Sequence, residues 1–186
     1  MTSPSPTPVF FHEDQLLFSP PYEWDKRGHV PHPESPERVI AIRDALSASG
    51  DFEFITPAPV PVPVIQQVHR SDLLRMYKLA EEQIPPEKFF YTTFFPKAHQ
   101  RNSDPDNIHH AGFYCMDTST PLGRDTLLST MASAGSAYSA AGYLMEGKGR
   151  RAYSLTRPPG HHAHKEYFGG YCYFNNAASA AARFRE

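Results

Sequence analysis

Between Thr156 and Asn176 the chain reads TRPPGHHAHKEYFGGYCYFNN. Two adjacent histidines, His161 and His162, sit there on a Pro-Gly turn, directly after a strand-like segment, Ala152 to Thr156. The end of a strand is where a chain leaves its sheet and can meet a ligand. A histidine titrating near neutrality can take a proton and return it, acting first as general base and then as general acid. A second proton on so close a pair is electrostatically disfavoured, which helps keep one ring free as a base. Taken alone, the pair also suits an exposed polar loop. A zinc site from His161, His162 and His164 is a further reading, although three histidines within four residues rarely converge tetrahedrally. Gly169 and Gly170 permit backbone conformations that a Cβ forbids. Cys172 reads as a packed small hydrophobe, since no Cys-His-Asn arrangement accompanies it.

The elements that must hold this stretch alternate between strand-like and helix-like. Val9 to Phe11 is a strand candidate, and Phe18 to Pro33 reads as an irregular loop. A helix follows, with Ser35 as its cap, Pro36 in its first turn, Gly50 past its end, and Val39, Ile42 and Leu46 on one face. Phe52 to Ile55 is a second strand. Pro57, Pro59, Pro61 and Pro63 alternate with Ala or Val and predict an extended connection. Ser71 to Glu82 is an amphipathic helix, with Leu74 and Tyr77 three apart. Asp125 or Thr126 opens a long helix to about Met145 whose many small residues permit close packing. Arg151 to Thr156 is the strand that delivers His161, and Asn175 or Asn176 caps a last, Ala-rich helix. Strands alternating with helices imply an α/β fold with a parallel sheet.

Ile84 to Gly112 stands apart. It has no clear period and carries five aromatics between Phe89 and Phe95. A structureless loop of that length is uncommon and is usually functional or disordered. Its aromatics require burial, which predicts a loop covering a neighbouring subunit or a substrate mouth. Asp104, Asp106, Glu81, Glu82 and Glu87 suit either an acidic mouth or a hydrated surface. His12, His29, His32, His69 and His99 have no evident partner, and His109 and His110 read as exposed.

The chain has 186 residues, 40% hydrophobic and 13% aromatic, which suffices for one domain with a real core. A net charge of −2 gives no basic face for nucleic acid. Two cysteines make no disulfide framework, so a reducing cytoplasm is the default. No apolar run approaches the ~20 residues of a membrane span. Residues 1–8, MTSPSPTP, read as a disordered leader.

Pro158-Pro159-Gly160-His161-His162 with Gly169 to Asn176 resembles the tandem-histidine motif of the histone deacetylase and acetylpolyamine amidohydrolase superfamily. His32-Pro33-Glu34-Ser35-Pro36-Glu37-Arg38 resembles its HPExPxR segment, and Val68-His69 with Asp72-Leu73-Leu74 resembles a short motif before its next helix. Gly112 to Pro121 is more similar to the acetylpolyamine branch than to the eukaryotic deacetylases. The resemblance covers nearly the whole chain after about Val9. It implies an arginase/deacetylase-like fold, a predominantly parallel sheet flanked by helices and incomplete in this chain. Residues 9–186 would then be the N-terminal part of one catalytic domain, with an insertion at about 84–112.

The function so implied is metal-dependent removal of acetyl groups from acetylated polyamines or similar primary amines. An acetyl-lysine deacetylase, or a partial domain that only binds, are the alternatives. The resemblance assigns His162 as general base and acid, His161 as its electrostatic partner, Gly170 as a carbonyl near the substrate and Tyr171 as a channel wall. It places Asp117 at the rim, where a solvated surface carboxylate is the plain alternative. Arg38 maps to a buried arginine of an internal channel, the alternative being an ion pair with Glu34. The implied Zn²⁺ has its ligands beyond Glu186 and none in this chain, so residues 1–186 alone are expected to be inactive. The expected partners are a small cationic acetylated amine and a second copy of the chain, a homodimer through the 84–112 loop, with no nucleic acid and no membrane.

Overall fold

A computed structural model describes residues 5–58, 60–96 and 103–185. The first residues of the expected leader, Pro59 and His99 lie outside them. Three parallel strands form the sheet, in the order β4 (Phe52–Ile55), β1 (Thr7–Phe10), β7 (Tyr153–Ser154). Central β1 pairs Thr7 with Phe52 through Phe10 with Ile55 on one side, and Val9 with Tyr153 on the other. The strand therefore begins inside the stretch expected to be a disordered leader. Pairing with β4 recruits Thr7 and Pro8, which a hydrophobicity count leaves out. The strand before the histidines is shorter than Arg151 to Thr156, with two residues in ladder form.

Helix α1 (Pro36–Ser49) joins β1 to β4, and Gly50 ends it in the left-handed region at φ +74°. Val39, Ile42 and Leu46 pack on Val9, Phe11, Phe52, Phe54 and Leu155 as a small core on that side. The larger core gathers Leu73, Leu74, Met76, Tyr77, Leu79 and Ala80 of α3 (Ser71–Gln83) against Tyr114, Leu122, Phe168, Tyr173 and Phe174. Helix α4 (Thr126–Met145) lies against α5 (Asn176–Arg183). The Arg183 side chain lies over Gly142, where a Cβ would stand 3.3 Å from its Nε.

Two segments differ from their sequence reading. Phe18 to Pro33 contains an antiparallel hairpin, β2 (Tyr22–Asp25) and β3 (Gly28–Pro31). Asp25 closes its turn by accepting the Arg27 N–H at 2.7 Å. In the proline-rich connection Pro61 is extended, but α2 (Val62–Val68) begins immediately after it. Pro63 falls in the first helical turn, where a missing N–H is harmless.

The 84–112 segment is partly structured. β5 (Phe89–Phe90) pairs antiparallel with β6 (Leu122–Gly123), and Phe89 packs edge-on to Phe18 at 5.7 Å. Tyr91 stacks on Tyr22 at 4.6 Å, and Ile108–Phe113 forms a 3-10 helix. Phe89 and Phe90 thus pack, half-buried, on the chain's own core. Phe94 and Phe95 stay 68% and 39% exposed. Of the acidic residues expected at a mouth, Glu82 and Asp106 are both bound by Arg75, which offsets their charge.

Candidate active site

The turn that carries the histidines is fixed from below. Ser133 Oγ donates to the Pro158 carbonyl at 2.7 Å, and Asn176 Nδ2 donates to Ser133 Oγ at 2.9 Å. Gly160 lies so close to the start of α5 that a Cβ would meet Asn176 N and the Phe174 carbonyl at 2.5 Å. The Ala163 N–H then closes the turn on the Gly160 carbonyl at 3.1 Å. His161 and His162 emerge with ring centroids 4.3 Å apart and planes tilted by 56°.

His162 lines a cavity of about 700 Å³, together with Tyr114, Cys115, Met116, His164 and Tyr167. Its ring rests on the Gly169–Cys172 turn. Gly169 and Cys172 exchange backbone hydrogen bonds at 3.0 Å, and the two residues between them have positive φ, +56° at Gly170 and +64° at Tyr171. Two successive left-handed residues are the pattern of a type I′ turn. A Cβ on Gly170 would sit 2.5 Å from His162 Cδ2, so only glycine allows this contact.

Asp117 braces that turn. Its Oδ2 accepts the Gly170 N–H at 2.5 Å and the Thr120 hydroxyl at 3.2 Å, while Oδ1 accepts the Ser119 N–H at 2.8 Å. The carboxylate expected at the rim is thus committed to protein donors. The Tyr171 N–H donates to Thr120 Oγ1 at 2.9 Å, and its hydroxyl to Glu23 Oε2 at 2.8 Å. Burial, followed by the hydrogen bond to Glu23, pushes the Tyr171 phenol up to about 12. The ring also meets His32 edge-on at 5.0 Å, so the hairpin and the HPE segment meet at this wall.

Arg38, expected to be buried, is exposed in this chain. Its side chain is 53% exposed and forms the ion pair with Glu34, four residues back. Among the described residues the fully buried arginine is Arg157, 0% exposed. Its Nη1 donates to the Gln15 carbonyl at 2.6 Å and its Nη2 to the Glu34 carbonyl at 2.8 Å. Burial holds its pKa below the usual arginine value. It thereby ties the HPE segment to the strand that delivers the histidines. The Arg-Pro-Pro-Gly sequence placed it beside the motif, but nothing local marks it as buried.

Several histidines without an evident partner have one. His32 Nδ1 accepts the Glu34 N–H at 3.2 Å, which leaves Nε2 to donate to the Ser119 carbonyl at 3.0 Å. His12 Nδ1 accepts the Asp14 N–H at 3.2 Å, and His110, read from sequence as exposed, is half-buried with its Nδ1 accepting the Asp104 N–H at 2.9 Å. His69, 1% exposed, bonds the His164 carbonyl and the Asn175 N–H. The two cysteines are buried and unpaired, and burial raises both thiols, Cys115 to about 12, so neither is set up as a nucleophile.

Among the described residues, no three of His, Cys, Asp and Glu converge as a cation site. What the arrangement offers is two neighbouring imidazoles, with His162 at the wall of a cavity and against a glycine turn that the half-buried Asp117 braces.

Residues 32–186 match the family described as the histone deacetylase domain. Acetylpolyamine amidohydrolase 2 of Pseudomonas aeruginosa is 32% identical over 180 residues, 95% of this chain and 52% of that protein. The acetylpolyamine amidohydrolase of Mycoplana ramosa is 32% identical over 94% of this chain and 52% of its own length. The crystal structure of acetylpolyamine aminohydrolase from Burkholderia pseudomallei superposes with a TM-score of 0.84 at 30% identity, covering 96% of this chain and 53% of that one. The HDA15 HD domain gives a TM-score of 0.73 at 25% identity. The chain spans about half the length of the relatives it matches.

Proposed function

The chain belongs to the histone deacetylase family, and on that premise we propose that the complete protein hydrolyses the amide of acetylated polyamines or similar acetylated primary amines. The observation that carries the reading is His162, seated against the Gly170 backbone on the wall of the cavity. Water adds to the acetyl carbon, the carbon–nitrogen bond breaks, and acetate and a primary amine leave. His162 takes the proton from water and returns it to the departing nitrogen. His161, with its ring 4.3 Å away, shares the charge that this creates. The Gly170 carbonyl and the Tyr171 ring form the wall along which the substrate stem lies. Zn²⁺ is proposed as cofactor on family grounds alone, with ligands outside this chain, so residues 1–186 by themselves would be inactive.

Phe95 and Pro96 also line the cavity, which favours a slender substrate over a folded protein. Phe94 and Phe95 are the aromatics left for a homodimer contact, and a reducing cytoplasm suits two unpaired cysteines. A second reading, acetyl-lysine in a peptide, is favoured by the likeness to the HDA15 domain. The test is acetate release by the complete protein from N-acetylputrescine and from an acetyl-lysine peptide. A higher kcat/KM on acetylputrescine supports the proposal, and preference for the peptide supports the second reading. Binding of either without acetate release would leave a non-catalytic module.

A further inference from the structure

The three residues that follow His162 are held by an unusually complete set of bonds. The Ala163 carbonyl accepts Asn175 Nδ2 at 3.1 Å. The His164 carbonyl meets His69 Nδ1 at 2.8 Å. The Lys165 carbonyl accepts the Arg70 N–H at 2.9 Å. His69 does more than hold the loop, because its Nε2 faces the Asn175 N–H at 2.9 Å. Asn175 in turn caps α5, its Oδ1 accepting the Ala178 N–H at 2.9 Å. One buried ring therefore spans from the loop behind His162 to the residue that caps a helix.

The partners decide the ring's chemical form. A carbonyl opposite Nδ1 requires a proton there, and an N–H opposite Nε2 requires a bare lone pair. A protonated ring would set two N–H donors face to face at Asn175. Burial lowers the pKa to about 4, which agrees with the geometry. The ring is enclosed by Phe174, centroids 5.1 Å apart, and by the loop. The titratable groups nearby are His164 on the loop and Arg70, which is paired with Asp72 and Glu166.

We infer that His69 is a positioning residue: as a neutral Nδ1–H imidazole it fixes the loop that carries His162 to the start of α5. This rests on His162 being the base of the proposed reaction. It explains a histidine that no substrate can reach. A hydrophobic residue would fill the space but release the His164 carbonyl and the Asn175 N–H, the two ends of the staple.

The test uses the complete protein with His69→Phe and His69→Asn. Phe keeps the bulk and no hydrogen bond, whereas Asn keeps an N–H for the His164 carbonyl. Placement errors near 1 Å can cost about 10²-fold, so His69→Phe should lower kcat at least about tenfold per folded molecule, with KM within about threefold. His69→Asn should recover part of that loss. A His69→Phe kcat within about twofold of wild type, or His69→Asn no better than Phe, overturns the inference. If His69→Phe does not fold, ¹⁵N resonances of the wild-type ring decide: a neutral Nδ1–H ring at pH 6 is expected, and a charged or Nε2–H ring contradicts it. Wild type without any acetate release would sink the proposed function instead, leaving that ring measurement to judge the staple alone.

Discussion

Replacing Gly170 by alanine perturbs the site by a single methyl group. The new Cβ would lie 2.5 Å from His162 Cδ2 and 2.8 Å from its Cγ. Carbon atoms pack at about 3.5–4.0 Å, so one side must give way by about 1 Å. The turn is poorly placed to move, because Asp117 holds the Gly170 N–H and Thr120 holds the Tyr171 N–H. The imidazole is exposed and moves instead. A displacement near 1 Å costs about 10²-fold in rate, or about 2.7 kcal/mol in the barrier. Alanine at φ +56° adds backbone strain of about 1 kcal/mol, which lowers stability without touching chemistry. Gly147→Ala separates the two effects. It lies at φ +67° with nothing within 4 Å of the added Cβ, so it carries the strain and lacks the clash. The assay is steady-state acetate release by the complete protein, with melting temperature measured alongside. Gly170→Ala should lose about 100-fold in kcat while Gly147→Ala keeps wild-type turnover at a similar cost in stability. Gly170→Ala within about threefold of wild type, or an equal loss in Gly147→Ala, would refute the reasoning.

The buried His69 predicts a pH dependence of stability. Its pKa is about 4 in the folded chain against 6.5 for the free side chain, so the unfolded state binds the proton more readily between those values. Its contribution is complete above pH 6.5 and is lost as pH falls towards 4, by up to about 3 kcal/mol. Denaturant unfolding of the complete protein should show the gap between wild type and His69→Phe shrinking over that window, and a constant gap would contradict it. At the other end of the molecule, Phe94→Ser with Phe95→Ser should convert the proposed homodimer to a monomer in sedimentation, and an unchanged dimer would exclude those side chains from the contact.

The sequence carried the helices well where their end signals are local. Ser35-Pro36 and Gly50 bracket α1, and Asn175 caps α5 through its own side chain. Helix α2 was hidden because alternating prolines describe an extended chain until Pro63, which a first turn tolerates. The β2–β3 hairpin was hidden because its strands are four residues each and bounded by prolines, Pro20 and Pro21 before β2 and Pro31 at the end of β3. The histidine pair and its glycine turn were legible as a contiguous motif. Their supports were not, because each is a contact between distant residues. His69 reaches a carbonyl 95 residues away, and Arg157 one 123 residues away. The motif gives Asp117 its place in the chain but not the Gly170 and Ser119 N–H groups that its carboxylate holds. Arg38, placed at a buried channel by the resemblance, is exposed here and makes the Glu34 ion pair that the sequence also allows.

The central claim is that His162 moves the proton in amide hydrolysis, and its most direct test is His162→Ala in the complete protein with N-acetylputrescine as substrate. Turnover should fall by about 10²-fold or more, the scale of general acid–base catalysis, with bound metal and melting behaviour unchanged. Near-native turnover would contradict the claim, and loss of the metal on that substitution would assign His162 to ligation instead.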